Sequence, residues 1–261
     1  FMIDWLYSLA EPVTLALSVS ILVALVVLLP RLVRRLPRMA PSESNTDFAM
    51  RIQTTLFTMT SLVLTFTLVQ ADINFRQVDS LVSVEAARIE QLDRLLTRYG
   101  STEAASVRPL LQAYARSIVQ EEWPAMLRGG ESPVTGPQFA PISRRILAIS
   151  PASGRQSLIF AEMLKSLDSI AESRAARLGA VSLGLPAIYW DVVLFALALL
   201  IFVTCAIEQT PFRAVVLASQ AAVIGAFVGF VFLMDQPFKG QNGVSPEALV
   251  QVMGRMSRRT E

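Results

Sequence analysis

The side chains best arranged for chemistry in this sequence are hydroxyls. Between Ile52 and Ala71 no residue is charged, yet seven are Thr or Ser. At 100° per residue, Thr54, Thr58, Ser61 and Thr65 fall within an arc of about 60°, and the same arc continues through Asp72, Arg76, Asp79, Ser83 and Glu90. Hydroxyls held at one side of an apolar helix can replace part of an ion's hydration shell, so several copies of this helix around an axis would line a wetted path. Leu68 and Val69 flank the arc between Thr65 and Asp72 and would form an apolar constriction. Asp72 would ring the mouth with carboxylates, and Asp79 repeats the sign farther along with Arg76 between them, which gives a lean towards cations. The competing reading is that each hydroxyl bonds back to its own helix and packs between neighbours.

Other chemistry is poorly supplied. The chain has no histidine, which removes the commonest general base, the Ser-His and Cys-His nucleophile pairs and the usual zinc ligand. Glu121 and Glu122 are adjacent and would point about 100° apart on a helix, so they make no convergent acid pair. No glycine-rich phosphate loop is present. Cys205 is the single cysteine and has no partner for an intrachain disulfide. The sequence therefore predicts no catalytic residues, no metal and no cofactor, and a net charge of only +2 gives no reason to expect nucleic acid as a partner.

The elements that must hold the stripe are membrane spans. Hydrophobic residues make up 53% of the 261-residue chain, mean hydropathy is +0.50, and the apolar residues are gathered in blocks. Four blocks approach the roughly 20 apolar residues needed to cross a bilayer core: Val13 to Leu29, Ile52 to Ala71, Ala187 to Ile207, and Ala214 to Met234. The first is followed, not preceded, by Arg31, Arg34, Arg35 and Arg38, so it is expected to remain in the mature chain. Those arginines place the first loop in the cytoplasm by the positive-inside rule, and hence the segment between the second and third spans outside. The second block should run on as helix to Tyr99, since no Gly or Pro interrupts it before Gly100.

Between spans two and three the composition suits a helical domain. A helix is expected from about Ala104 towards Arg128, kinked or ended by Pro124. Glu131 to Pro141 reads as a loop, followed by a short helix over 142–149 and a long one from Arg155 to about Ser182. On that last helix Leu158, Ile159, Met163, Leu167 and Ile170 recur at core spacing. Spans three and four form a tight hairpin. Gly225 and Gly229 make a GxxxG in the fourth span, which suits close helix packing, between helices of one chain or between subunits. Ser245, Pro246 and Glu247 open a last short helix. The expected organisation is 1–50, first span and Arg-rich loop; 51–99, second span and its polar extension; 100–184, helical domain; 185–235, membrane hairpin; 236–261, C-terminal tail.

Several word-like motifs accumulate: Glu85-Ala86; Glu122-Trp123-Pro124 with Met126; Leu185-Pro186 with Trp190; and Asp235-x-Pro237-Phe238-x-Gly240 followed by Val244-Ser245-Pro246. Together they resemble a bacterial family of integral membrane proteins described as bestrophin-like, over nearly the whole chain after the first span. The resemblance implies an all-α membrane fold with four transmembrane helices and a helical domain between the second and third. It also implies a pentameric ion channel in the bacterial inner membrane, with the second span as pore helix and with lipid, inorganic ions and its own copies as partners. Bestrophins hold that domain in the cytoplasm, opposite to the side the arginine count gives, and their kinds include both anion and cation conductors. The alternative function is a non-conducting membrane scaffold or sensor whose helical domain binds a partner or ligand, with Trp123 and its acidic neighbours as the docking point.

Overall fold

The computed structural model describes residues 7, 9–33, 43–239 and 243–259. Arg34, Arg35 and Arg38 of the basic loop, and Gly240 of the C-terminal motif, lie outside the described residues. The chain divides into two compact units, Phe1–Phe75 with Gly184–Gln236, and Arg76–Leu183 with Pro237–Glu261.

The first unit is built on four apolar helices: α1 (Glu11–Val33), the start of α2 (Glu43–Tyr99), α7 (Ala187–Cys205) and α8 (Pro211–Asp235). All four are long and apolar enough to cross a membrane, and the protein is an all-α, multi-pass membrane protein. Its core is apolar: Val26 of α1, Leu64 of α2, Val193 of α7 and Ile224 of α8 are buried together. The GxxxG of α8 is used inside the chain. A Cβ on Gly225 would lie 2.8 Å from the Cα of Val19, and one on Gly229 would strike the Ser18 hydroxyl. These two glycines therefore set how closely α8 packs on α1. Thr210 caps α8, its hydroxyl accepting from the Arg213 N–H at 3.3 Å, and Pro211 follows where an N–H would have no helical acceptor.

Helix α2 runs for 57 residues because nothing in it breaks a helix, and it stops where Gly100 takes φ +76°. The boundary between the two units falls within it. In the second unit, Ser101 caps α3 (Thr102–Ser117) by accepting from the Ala104 N–H at 3.2 Å. The helix then widens into a π-turn over Ile118–Glu122, and α4 (Trp123–Leu127) follows directly. Pro124 neither ends nor breaks this run. It has no N–H to give and its ring would clash with a carbonyl four residues back. The widened turn, closed by the Trp123 N–H on the Ile118 carbonyl, absorbs both defects.

Three sequence expectations change here. Thr135–Leu147 is a helix, α5, so the loop is far shorter than Glu131 to Pro141. Pro137 sits in its first turn, where the missing N–H costs nothing, and only Pro141 falls deeper inside. On α6 (Gly154–Gly179) Met163, Leu167 and Ile170 are buried as expected, but Leu158 is exposed. A short 3-10 turn, Ala180–Ser182, ends that run. Helix α9 (Glu247–Arg258) closes the chain, beginning after Pro246 with no side-chain cap from Ser245.

Candidate functional site

Seen within its own unit, the membrane part of α2 has two unlike faces. Gln53, Thr60, Leu64, Thr67, Ala71 and Asn74 are buried. Thr54, Thr58 and Thr65 are exposed on the other side with Val69, and Ser61 and Asp72 are half-buried beside them. The exposed hydroxyls give their protons to the helix itself: Thr54 to the Met50 carbonyl at 3.0 Å, Thr58 to that of Thr54 at 3.0 Å, and Thr65 to that of Ser61 at 2.8 Å. Each donor is thereby satisfied, while the hydroxyl oxygens remain as outward acceptors. Leu62, Phe66 and Ile73 are exposed along one edge of this stripe.

The two constriction residues separate. Val69 stands exposed on the stripe, whereas Leu68 is partly buried against Ala71, Leu185 and Val231. Asp79, beyond the membrane part, is exposed. Glu90 leaves the stripe altogether. It lies 9% exposed under α9, where Arg255 donates at 3.0 Å and Arg259 at 2.5 Å, with Arg94 at 3.2 Å. Asp93, one turn on, takes Arg108 at 2.8 Å and Arg259 at 3.1 Å. The hydrogen bond from Arg259 is the main reason the Glu90 carboxyl is held below its ordinary value. Extrapolating a helical angle could not foresee that a later helix would cover this end.

The Glu122-Trp123-Pro124 motif is the centre of a buried charge cluster. Arg177 of α6 is fully buried and bonds both Glu85 of α2 and Glu122, while Arg174 takes the other side of Glu122. Two carboxylates and two guanidiniums balance, as charges withdrawn from water must. Burial pushes the Glu85 carboxyl above its ordinary value, with Arg177 pulling the other way. Nearby, the buried Tyr114 hydroxyl has no partner among the described residues, and burial drives its pKa up. Glu121 points elsewhere and is exposed. Trp123 packs edge-on against Phe238, ring centroids 5.7 Å apart. Two motifs of the sequence thus meet in one place. Gly243 completes that corner, since a Cβ there would press on the Pro237 carbonyl at 3.1 Å.

A second joint, in the first unit, unites the remaining motifs. Asp235 accepts the Leu185 N–H at 2.6 Å on one oxygen and the Trp190 indole N–H at 3.1 Å on the other. A carboxylate with both oxygens occupied by N–H donors is a clamp on the entry to α7. In the sequence Asp235 is only a motif letter, and Trp190, at the start of the third span, reads as an interfacial aromatic anchor, not as a hydrogen-bond donor to Asp235. Glu85, Arg174 and Arg177 gave only one signal, charged residues at positions where a helix should be apolar. Among the described residues no group of three or more His, Cys, Asp or Glu could hold a metal ion.

A family model described as Bestrophin-like domain matches residues 19–249. No curated protein matches in sequence. Among solved structures, two point-mutant crystal structures of a bacterial bestrophin homolog from Klebsiella pneumoniae are similar. One has a TM-score of 0.67 at 13% identity, covering 96% of this chain and 98% of that one. The other has 0.66 at 14%, covering 94% and 98%. A crystal structure described only as a membrane protein gives 0.64 at 13%, covering 94% and 96%. At such identities the likeness is one of fold.

Proposed function

The chain belongs to the bestrophin-like family, and from that premise we propose that it is a subunit of a homo-oligomeric ion channel whose second span lines the pore. One observation carries the proposal: the first unit leaves uncovered a stripe of hydroxyls, Thr54, Thr58 and Thr65, on a helix that crosses the membrane. Hydroxyl oxygens turned towards lipid tails gain nothing, and around a shared axis they meet water and ions. Five copies is the number the family resemblance supports, in the cytoplasmic membrane of a bacterium. Val69 on the stripe is the apolar residue best placed to narrow the path, with Leu68 supporting it from behind. Asp72 and Asp79 give the lean towards cations. The scaffold reading loses support because its natural subunit contact, Gly225 and Gly229, is occupied by α1 of the same chain.

The test is current through the purified protein in planar bilayers under a salt gradient. Discrete openings are expected, with a reversal potential that moves towards the anion side in Asp72→Asn. A well-folded oligomer that stays silent, or whose selectivity ignores Asp72, would refute the assignment.

A further inference from the structure

The buried face of α2 carries a polar column of its own. Thr46, Gln53, Thr60, Thr67 and Asn74 stand seven residues apart, and all are buried. From Thr46 to Asn74 the column runs for about 42 Å at the helical rise. On a straight helix it drifts by about 20° at each step, so it follows a neighbour that crosses α2 at a shallow angle.

That neighbour is α7. Just past its C-terminal end, the Glu208 N–H donates to the Thr46 hydroxyl at 3.2 Å. Near the same end Gln53 donates from Nε2 to the Thr204 hydroxyl at 3.0 Å, and that hydroxyl gives its own proton to the Leu200 carbonyl at 2.8 Å. Ahead of the N-terminal end of α7, the Gly184 carbonyl lies 3.5 Å from Asn74 Nδ2. Gln70 donates to the other side of that amide, Oδ1, at 3.0 Å. Positions rise along α2 as their partners fall along α7, as an antiparallel pair requires. The two helices are hooked together at both ends of their crossing.

These hooks decide something that apolar packing does not. Lipid tails are as apolar as leucine, so burying one Leu-rich face of a membrane helix instead of another brings no hydrophobic gain. On α2, Leu62, Phe66 and Val69 are exposed while Leu64 and Ala71 are buried. Turning the polar column outward would instead leave the amides of Gln53 and Asn74 unmet in lipid. We propose that Thr46, Gln53 and Asn74 are the positioning residues of the pore helix: their bonds to the chain at the two ends of α7 fix the rotation of α2, and so hold Thr54, Thr58 and Thr65 outward. A polar residue on an otherwise apolar seam sets register in the same way between paired helices. The proposal rests on the pore reading, because only there does the outward face of α2 carry a function.

The test reads rotation, which a general packing defect would not report, on the full chain in lipid nanodiscs with Cys205→Ala as background. A charged, membrane-impermeant thiosulfonate attacks only thiols that water can reach and ionise. In that background Thr58→Cys should react and Thr60→Cys should not. With Gln53→Leu and Asn74→Leu added, the rate at Thr60→Cys should rise several-fold while that at Thr58→Cys falls. Thr204→Val removes the Gln53 bond from the α7 side; it should shift both rates in the same directions, and it serves where the double variant fails to assemble. Exchanging the pair, Gln53→Thr with Thr204→Gln, should return the original pattern. Rates that ignore all of these changes overturn the proposal and leave the pore reading standing. An unreactive Thr58→Cys in the starting background removes the pore reading, and the proposal with it. A reactive Thr60→Cys in that background shows that the column already faces water, and overturns the proposal alone.

Discussion

Arg177→Met tests whether the buried charges of the second unit are held by one another. Arg177 is fully buried between Glu85 and Glu122, and Met matches the length of its stem. Without the guanidinium, Glu122 keeps Arg174, but Glu85 loses both of its bonds, Nε to Oε2 and Nη2 to Oε1. Removing one partner of a buried ion pair costs about 3–5 kcal/mol. For a chain of this size that corresponds to a fall in melting temperature on the order of 10 °C. Most of the cost is the stranded Glu85, so adding Glu85→Gln to Arg177→Met should recover a large part of it, although Glu85→Gln alone is itself destabilising. The assay is thermal unfolding of the four proteins in one detergent at one scan rate, treated as a double-mutant cycle. A coupling within about 0.5 kcal/mol of additivity would mean that the two residues do not share one network, and would refute the reasoning.

Two further outcomes follow from the same structure. Glu85 and Glu90 should give opposite pH dependences from a common unfolded value of 4.5. Stability from Glu85, whose pKa is raised, is full below that value and is lost as pH climbs through the raised one. Stability from Glu90, whose pKa is lowered, is present above it and is lost as pH falls through the lowered one. Melting curves from about pH 3 to 8 should therefore flatten on the alkaline side in Glu85→Gln and on the acid side in Glu90→Gln; unchanged profiles would contradict both. Gly225→Val should destabilise the first unit by about 1–3 kcal/mol, because its Cβ position lies 2.8 Å from the Val19 backbone. Ser219→Val, on an exposed position of the same helix, is the control, and equal melting temperatures for the two would refute that contact.

The spans were legible because bilayer thickness converts directly into a count of apolar residues, and Ile52 to Ala71 was read as membrane helix despite its hydroxyls. The end of α2 at Gly100 was legible too, since only a residue free to take positive φ serves there. What could not be read was which partner each polar residue would find. Glu90 lay on the angular stripe by arithmetic, but its surroundings come from Arg255 and Arg259, over 160 positions later. Arg177 falls on the core spacing of its helix, seven residues after Ile170, and is fully buried, but the two carboxylates that make a charge tolerable there arrive from separate helices. The second half of α5 falls within the helix expected over 142–149, but its first half is hidden by Gly136, Pro137 and Pro141, which read as loop by composition, whereas a proline's cost depends on its place within the turn. Gly225 and Gly229 announce close packing by their spacing, but that spacing does not say that the packed helix is α1.

The π-turn at Ile118–Glu122 also bears on how relatives of this chain should be aligned. A helix of that kind holds one residue more than the regular spiral would. Deleting a single position there would restore even winding, yet it would swing Glu122 away from Arg177 and turn Trp123 off Phe238. Members of the family that keep the Glu-Trp-Pro triplet should therefore also keep the count of residues leading into it. A gap inserted just ahead of the triplet would mark either a misplaced alignment or a protein in which the charge cluster has been dismantled.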